Sequence, residues 1–346
     1  MPTRSLTDDQ LRETCALVKE FGSVRAAANA SGINRATLQH RYREAQRLGF
    51  TEEADTVGYT LTPLPDDDIP IDSVVDQLHG RFKKRKENKN AKKWIPISMH
   101  SDEPIGLLWM GDPHIDDNHC DWDRLREHLD IIQQHPNIYG CSLGDYQNNW
   151  IGRLGRLYGE QDTSHKTAWR LVEWLINEMD PMILIGGNHD MWTGAGDPLK
   201  WLSGPHAIME DWEARVELSF PNGRKCRIHA AHDMPGHSQW NSLHAQNKMA
   251  RFKSNASLYI SGHRHNWALG QIELVEQETT AWLARARGYK FHDTYAFVKG
   301  FEQQNFGQAI LQVIDPHNDS PVSWVQCFAD PKEGAEYLQY RLSLRR

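Results

Sequence analysis

Aspartate, asparagine and histidine recur in this chain at five places where an apolar run has just ended. Gly106-Leu107-Leu108-Trp109-Met110 is followed by Gly111-Asp112-Pro113-His114. Ile138 to Leu143 leads into Gly144-Asp145-Tyr146-Gln147-Asn148, and Met182 to Ile185 into Gly187-Asn188-His189-Asp190. Lys225 to Ala230 leads into Ala231-His232-Asp233, and Ser257 to Ile260 into Gly262-His263-Arg264-His265. Histidine is the commonest metal ligand, and the chain holds 18 of them. Imidazole and oxygen donors without thiolate suit Mn, Fe, Zn or Co better than Mg or Ca, and of these Mn is favoured. Two divalent ions about 3.5–4 Å apart can hold both the attacking and the leaving oxygens of an in-line displacement at phosphorus. Such a pair needs a carboxylate with one oxygen for each ion.

The elements that must position these groups are strands. From about residue 95 onward, short apolar runs alternate with amphipathic stretches, which predicts an α/β domain. In an open α/β sheet, ligands collect beyond the carboxyl ends of the strands, so five such tips can converge on one pocket. The glycines at the tips let the backbone turn sharply where a strand stops.

The ordered set GD-x-H, GD-x-x-N/D, GNH-D/E, H and GH-x-H resembles that of the calcineurin-like metallophosphoesterases, over residues 105–315. The resemblance implies a sandwich of two central sheets flanked by helices and a site for two divalent metal ions. It assigns Asp145 as the bridge, with Asp112, His114 and His265 completing one metal site and Asn188, His232 and His263 the other. A water shared by the ions, its pKa lowered, would be the nucleophile. His189 would point to the phosphate and protonate the leaving oxygen, with Asp190 orienting its imidazole. His229 competes with His232 on the same segment; His232 is preferred because it falls at the strand's exit. His119, His165, His206, His237 and His244 are read as ordinary surface or core residues, with His237 the first exception, at the pocket rim.

Departures from the pattern narrow the substrate. Protein Ser/Thr phosphatases continue the second motif with aspartate and arginine, where this chain has Gln147-Asn148-Asn149, and the first with glycine, where Ile115-Asp116-Asp117 stands. The Asp-x-His start and the leading module described next resemble the nuclease branch, including double-strand-break repair exonucleases and enzymes encoded by tailed phages and prophages.

Residues 1–50 form that module. Leu11, Cys15 and Val18 share one face of a first helix ending at Phe21-Gly22; Ser23 caps a second with Val24, Ala27 and Ala28 inward. After the turn Ser31-Gly32-Ile33, Asn34 caps a third, packing through Leu38, Tyr42 and Ala45. The spacing of Ala28, Gly32 and Leu38 resembles a helix-turn-helix, whose third helix would offer Arg35, Gln39, His40 and Arg43 to DNA. Three-helix units also dock proteins. Residues 51–94 read as a linker, with Thr62-Pro63-Leu64-Pro65 in its first third and a run over 81–93 that holds eight Arg/Lys against one Asp/Glu. Such a run is either a solvated segment or a contact to a phosphate backbone. Residues 95–346 are then the catalytic domain.

The net charge of −7 argues against a surface basic throughout, so any nucleic-acid contact is local. Five scattered cysteines with no C-x-x-C pair fit a reducing cytoplasm, and no apolar run approaches membrane-spanning length. The start of the chain does not read as a signal peptide. Three functions remain: a metal-dependent DNA phosphodiesterase, a phosphatase or phosphodiesterase for small nucleotides with a protein-docking module, and a DNA-binding regulator. The complete ligand set argues against the third.

Overall fold

The computed structural model describes residues 6–50, 68–192, 198–291 and 303–345. The chain divides into two compact units, Met1–Leu78 and His79–Arg346. Residues 51–67 of the expected linker, and the first five residues, lie outside the description.

In the first unit, α1 (Asp8–Phe21), α2 (Val24–Ser31) and α3 (Arg35–Arg47) follow the local rules read from sequence. Thr7 and Gln10 form a capping box, Ser23 Oγ accepts from Ala26 N, and Asn34 Oδ1 accepts from Ala36 N. Gly22 and Gly32 close α1 and α2 at φ of 73° and 70°, where a side chain would be strained. Val18, Ala27, Ala28 and Leu38 form the core. Thr14 is buried and Cys15, the expected core residue, is only half-buried, because Thr14 Oγ1 satisfies itself on Gln10 O. On α3, Arg35, His40 and Arg43 are exposed and Gln39 is half-buried.

The basic run is not a loop. It lies on α4 (Ile71–Ala91), a helix with no buried residue. Lys, Arg, Gln and Glu are good helix formers, and Asp72 in the first turn with Lys89 in the last complements the helix dipole.

The second unit is a sandwich of two six-stranded sheets flanked by helices. In chain order come β1 (Ile95–Ser98), β2 (Ile105–Met110), α5 (Trp122–Gln134), β3 (Ile138–Ser142), α6 (His165–Met179), β4 (Pro181–Gly186), α7 (Asn188–Met191), α8 (Pro198–Leu202), β5 (Ile208–Asp211), β6 (Glu213–Ser219), β7 (Lys225–Ala231), α9 (His244–Phe252), β8 (Leu258–Ser261), β9 (Ala268–Leu274), β10 (Thr279–Arg285), β11 (Ala309–Ile314), β12 (Val325–Phe328) and α10 (Pro331–Ser343). One sheet has the order β1-β6-β7-β8-β10-β9, the other β12-β11-β2-β3-β4-β5. The five strands inferred from the polar tips are β2, β3, β4, β7 and β8.

Strand alternation explains the layering. Leu107 and Trp109 of β2 face inward, with Ile183, Ile185, Val216, Ile228, Leu258 and Ile260 in the core between the sheets. Leu108 and Met110 face the other way, under α5, α6 and α10. Both faces of β2 are therefore buried, as its unbroken apolar run requires. The outer face of the other sheet packs Tyr259 and Leu283 beneath Ala245 and Met249 of α9.

Candidate metal centre

All five polar tips leave the carboxyl ends of their strands at one edge of the sandwich, three from one sheet and two from the other. The tips are laced to one another by backbone hydrogen bonds: Asp112 N to Gly144 O (2.9 Å), His114 N to Asp145 O (3.2 Å) and Gly262 N to His232 O (3.0 Å). Several ligand-type residues sit in the left-handed region that favours glycine: Asp112, His114, Asp145, His263 and His265, at φ between 40° and 67°. Strain of this sort costs of order 1–3 kcal/mol per residue and persists only where the surroundings over-determine it. Close approach is needed as well. A Cβ on Gly187 would strike the Asp145 carboxylate and His232, and one on Gly262 would strike Asp112.

The side chains aim at a common centre. His232 anchors Nδ1 on Leu143 O at 2.8 Å, which turns Nε2 toward Asn188 Oδ1 (2.9 Å), His263 Nδ1 (3.0 Å) and Asp145 Oδ2 (3.2 Å). The donor atoms of Asp112, Asp145, His232 and His263 all lie within 4.8 Å of one another, as do those of Asp112, His114 and His265. A third group of donor atoms within the same distance joins His114, Asp145 and His189, so that Asp112 and Asp145 each belong to two of the three groups. His229 lies aside, bonded to Ser254 and Glu213.

Burial and charge set the protonation states. Burial pushes the Asp145 carboxyl upward, but the neighbouring His232 and His189 hold it well below the usual carboxylate range. His232, depressed by burial, is raised to about 10 by Asp145. Asp112 is raised, by burial first and then by Asp145. Burial lowers His263 to about 4, helped by the charge on His232, and His265 to about 3, helped by Lys290. His114 is also lowered, by burial and then by His189. His114, His263 and His265 are thus neutral imidazoles facing an ionised carboxylate, the forms that ligate a cation, whereas His232 would give up its proton to a bound metal.

The residues fit a metal. Asp112 Oδ1 and both ring nitrogens of His114 are buried without a hydrogen-bond partner. Each orphan of that kind costs about 1–3 kcal/mol unless something else satisfies it, and a divalent cation would satisfy Asp112 Oδ1 together with one of the two His114 nitrogens.

Asp190 plays a different part from the one expected of it. His189 bonds through Nδ1 to Asn148 O, and Asp190 does not orient it. The Asp190 carboxylate instead accepts backbone N–H groups from Asp145 (2.7 Å), Gly187 (2.7 Å) and Tyr146 (3.1 Å), tying the second tip to the third. The reason is helical: consecutive residues on α7 point to different faces. Burial and the Asp145 charge raise Asp190 to about 7. His189 Nε2 faces inward, 3.8 Å from Asp145 Oδ2, with its ring between Trp192 (4.1 Å centroid distance), Trp150 (5.2 Å) and His114 (4.8 Å).

Sequence reasoning misses the support behind His189. Asn148 is held by Asp116 Oδ1 on its N–H (2.7 Å), by Asp117 Oδ2 on its amide (2.6 Å) and by Lys290 Nζ on its amide oxygen (3.3 Å). Lys290 also pairs with Asp117 at 2.8 Å and lies 5.0 Å over the Trp150 ring. In the sequence, Asp116 and Asp117 stand out only as a departure from a motif. Lys290 carries no local signal at all, since it reaches the site from the segment after β10.

No family profile and no curated protein matches this chain. Among solved structures it is similar to a 5'-nucleotidase precursor from Thermus thermophilus, at 10% identity and a TM-score of 0.37, covering 70% of this chain and 58% of that one. It is similar also to a single mutant of Vps29 from Entamoeba histolytica, at 11% identity and a TM-score of 0.35, covering 65% of this chain and 97% of that one. Wild-type Vps29 from the same organism, complexed with zinc, gives 10% identity and a TM-score of 0.31 over the same shares. Likeness at that level carries no weight for the chemistry, which rests on the geometry above. Among the described residues no helix is long and apolar enough to cross a membrane, and all five cysteines are free.

Proposed function

We propose that the chain is a dinuclear metal-dependent phosphoesterase acting on phosphodiesters, with DNA as the substrate class. The observation that carries the reading is the set of donor groups that meet around Asp112 and Asp145, with the inward-facing Nε2 of His189 beside them. Asp112, His114, His265, Asn188, His232 and His263 would hold two divalent cations with Asp145. Bound there, such ions supply an activated water and neutralise charge on the phosphoryl oxygens; Mn is the favoured species.

The remaining steps belong to this chain's own residues. Nδ1 of His189 donates to the Asn148 carbonyl, so Nε2 is the atom that would take up a proton and pass it to the leaving oxygen. Trp150 and Trp192 keep the imidazole in place and narrow the access of water to it. The Lys290 ammonium adds positive potential on the side of His114, His189 and His265. The exposed Arg35, His40 and Arg43 of α3 and the basic half of α4 support a polymeric, anionic substrate.

The test is a substrate panel with added Mn: single-stranded and duplex DNA, RNA, cyclic dinucleotides and phosphomonoesters. DNA cleavage that stops with chelator and returns with Mn is expected. Turnover confined to phosphomonoesters or small nucleotides would replace DNA as substrate, and no turnover with metal bound would remove the enzymatic reading.

A further inference from the structure

A single residue carries the chain from one sheet to the other. Trp212 is all that stands between β5 and β6, which belong to different sheets. The crossing sets its φ at 67°, a conformation that strains a bulky side chain and leaves glycine unstrained. Backbone bonds hold it from both sides. Trp212 N donates to Gly186 O (3.0 Å) at the end of β4, and Trp212 O accepts from His232 N (2.8 Å) at the end of β7. Local preference at such a turn is for glycine, yet an indole stands there and is 48% exposed. Packing does not account for a ring half in water, and strain retained beside a site is a mark of function.

The ladder gives the ring its direction. Glu213 faces Ala231 in the β6–β7 pair, so Trp212 faces His232. Opposed residues on antiparallel strands project to the same side, and Ala214 and Ala230, two residues inward, lie in the core between the sheets. Trp212 and His232 therefore end that row at the edge where the polar tips converge. Their ring centroids are 6.5 Å apart. The indole stands at the mouth of the metal centre, beside the tips that bring Asn188 and His232.

We propose that Trp212 is a stacking platform for an unpaired nucleobase of the substrate, so that the site takes single-stranded DNA in preference to intact duplex. Every base has a π-face that an aromatic side chain can cover, whatever the sequence. A base is joined to its phosphate through one sugar, a reach that matches an indole lying one ring beyond a metal-ligand histidine. In intact duplex the neighbouring bases already cover both faces, and reaching the platform would require unstacking. The proposal rests on the phosphodiesterase reading above and names the form of nucleic acid that this site accepts.

Two diesters with the same leaving group test it in the full-length chain with added Mn: thymidine nitrophenyl phosphate and methyl nitrophenyl phosphate. Trp212→Gly suits the backbone, so melting and bound metal are expected to stay at the parent's level. For the thymidine diester, kcat/KM should fall roughly 5–150-fold, the usual worth of one stacked base, with most of the change in KM. The methyl diester should be turned over as by the parent. Trp212→Phe should recover most of the loss and Trp212→Leu little of it, because only the first restores a π-face. The parent should cleave single-stranded DNA faster than duplex, and Trp212→Gly should narrow that difference. Equal losses on the two diesters, a leucine as good as phenylalanine, or a parent indifferent to the thymidine would overturn the platform and leave the phosphoesterase standing. Hydrolysis of neither diester by the parent would remove the phosphoesterase reading and the platform with it.

Discussion

The two units place the same rare backbone conformation on different kinds of residue. In the three-helix unit, positive φ falls on Gly22, Gly32 and Gly49, which close helices and meet nothing within 4 Å where a Cβ would stand. In the two-sheet unit it falls on glycines as well, but also on non-glycine residues that include Asp112, His114, Asp145, His263 and His265. One unit uses the conformation where it is cheap. The other imposes it on side chains that must point at a centre, and holds them there by cross-tip hydrogen bonds and a dense sandwich core. The difference is between a fold stabilised locally and a site assembled against local preference.

That contrast can be broken or sharpened by four substitutions, taken from the largest expected effect down. Asp145→Asn removes the carboxylate shared by the donor groups and should abolish turnover on every substrate, with at least one metal lost per chain. Two metals and normal turnover in that variant would show that Asp145 is not the bridge.

His189→Gln should retain both metals. DNA cleavage should fall by roughly 10²–10⁴-fold, the usual worth of a positioned acid. Turnover of a nitrophenyl diester should fall far less, because its leaving group departs without a proton. Equal losses on both substrates would place His189 in the coordination shell.

His128 of α5 tests the two-sheet unit through pH. It donates to or accepts from Tyr289 Oη at 2.7 Å, and Tyr289 N in turn bonds to Asp112 O. Burial, then the Arg124 charge, lowers its pKa from 6.5 to about 4. Between those values the unfolded chain binds a proton that the folded chain refuses, so stability drops as pH falls through the window and rises as pH climbs through it. By about pH 4 the loss from this group reaches about 3 kcal/mol. Denaturant titrations of His128→Gln against the parent should show a shallower acid slope in the transition of the two-sheet unit. Parallel slopes would mean that His128 is not buried in its neutral form.

Gly32→Ala should have the smallest effect. It places a side chain at φ of 70° with open space around it, so only backbone strain acts, about 1–2 kcal/mol. Melting of the three-helix unit should move down while metal content and small-diester turnover stay at the parent's level. A change in metal binding would mean that the two units are energetically coupled.

Local physics, legible in the sequence by itself, determined much of this protein. Caps at Ser23 and Asn34, the turn glycines and the period of Leu11, Val18 and Leu38 outlined α1 to α3, because each acts within one or two helical turns. Apolar runs ending in Gly-Asp, Gly-Asn, Ala-His or Gly-His located β2, β3, β4, β7 and β8, because a strand's end is marked where it occurs, and the resemblance those tips carry implied the residues of the candidate metal centre. Tertiary structure alone decided three things. It brought Lys290 to Asn148 and Asp117, a pairing no local pattern could report. It gave Asp190 to the backbone of the neighbouring tips and left His189 to the Asn148 carbonyl, since adjacent helical residues diverge and the choice of partner is made by another strand. It also showed that the basic run is a helix with no buried residue, which a count of charges concealed. Spacing along a chain records what each residue can do; which groups it meets depends on folding contacts from elements far away in sequence.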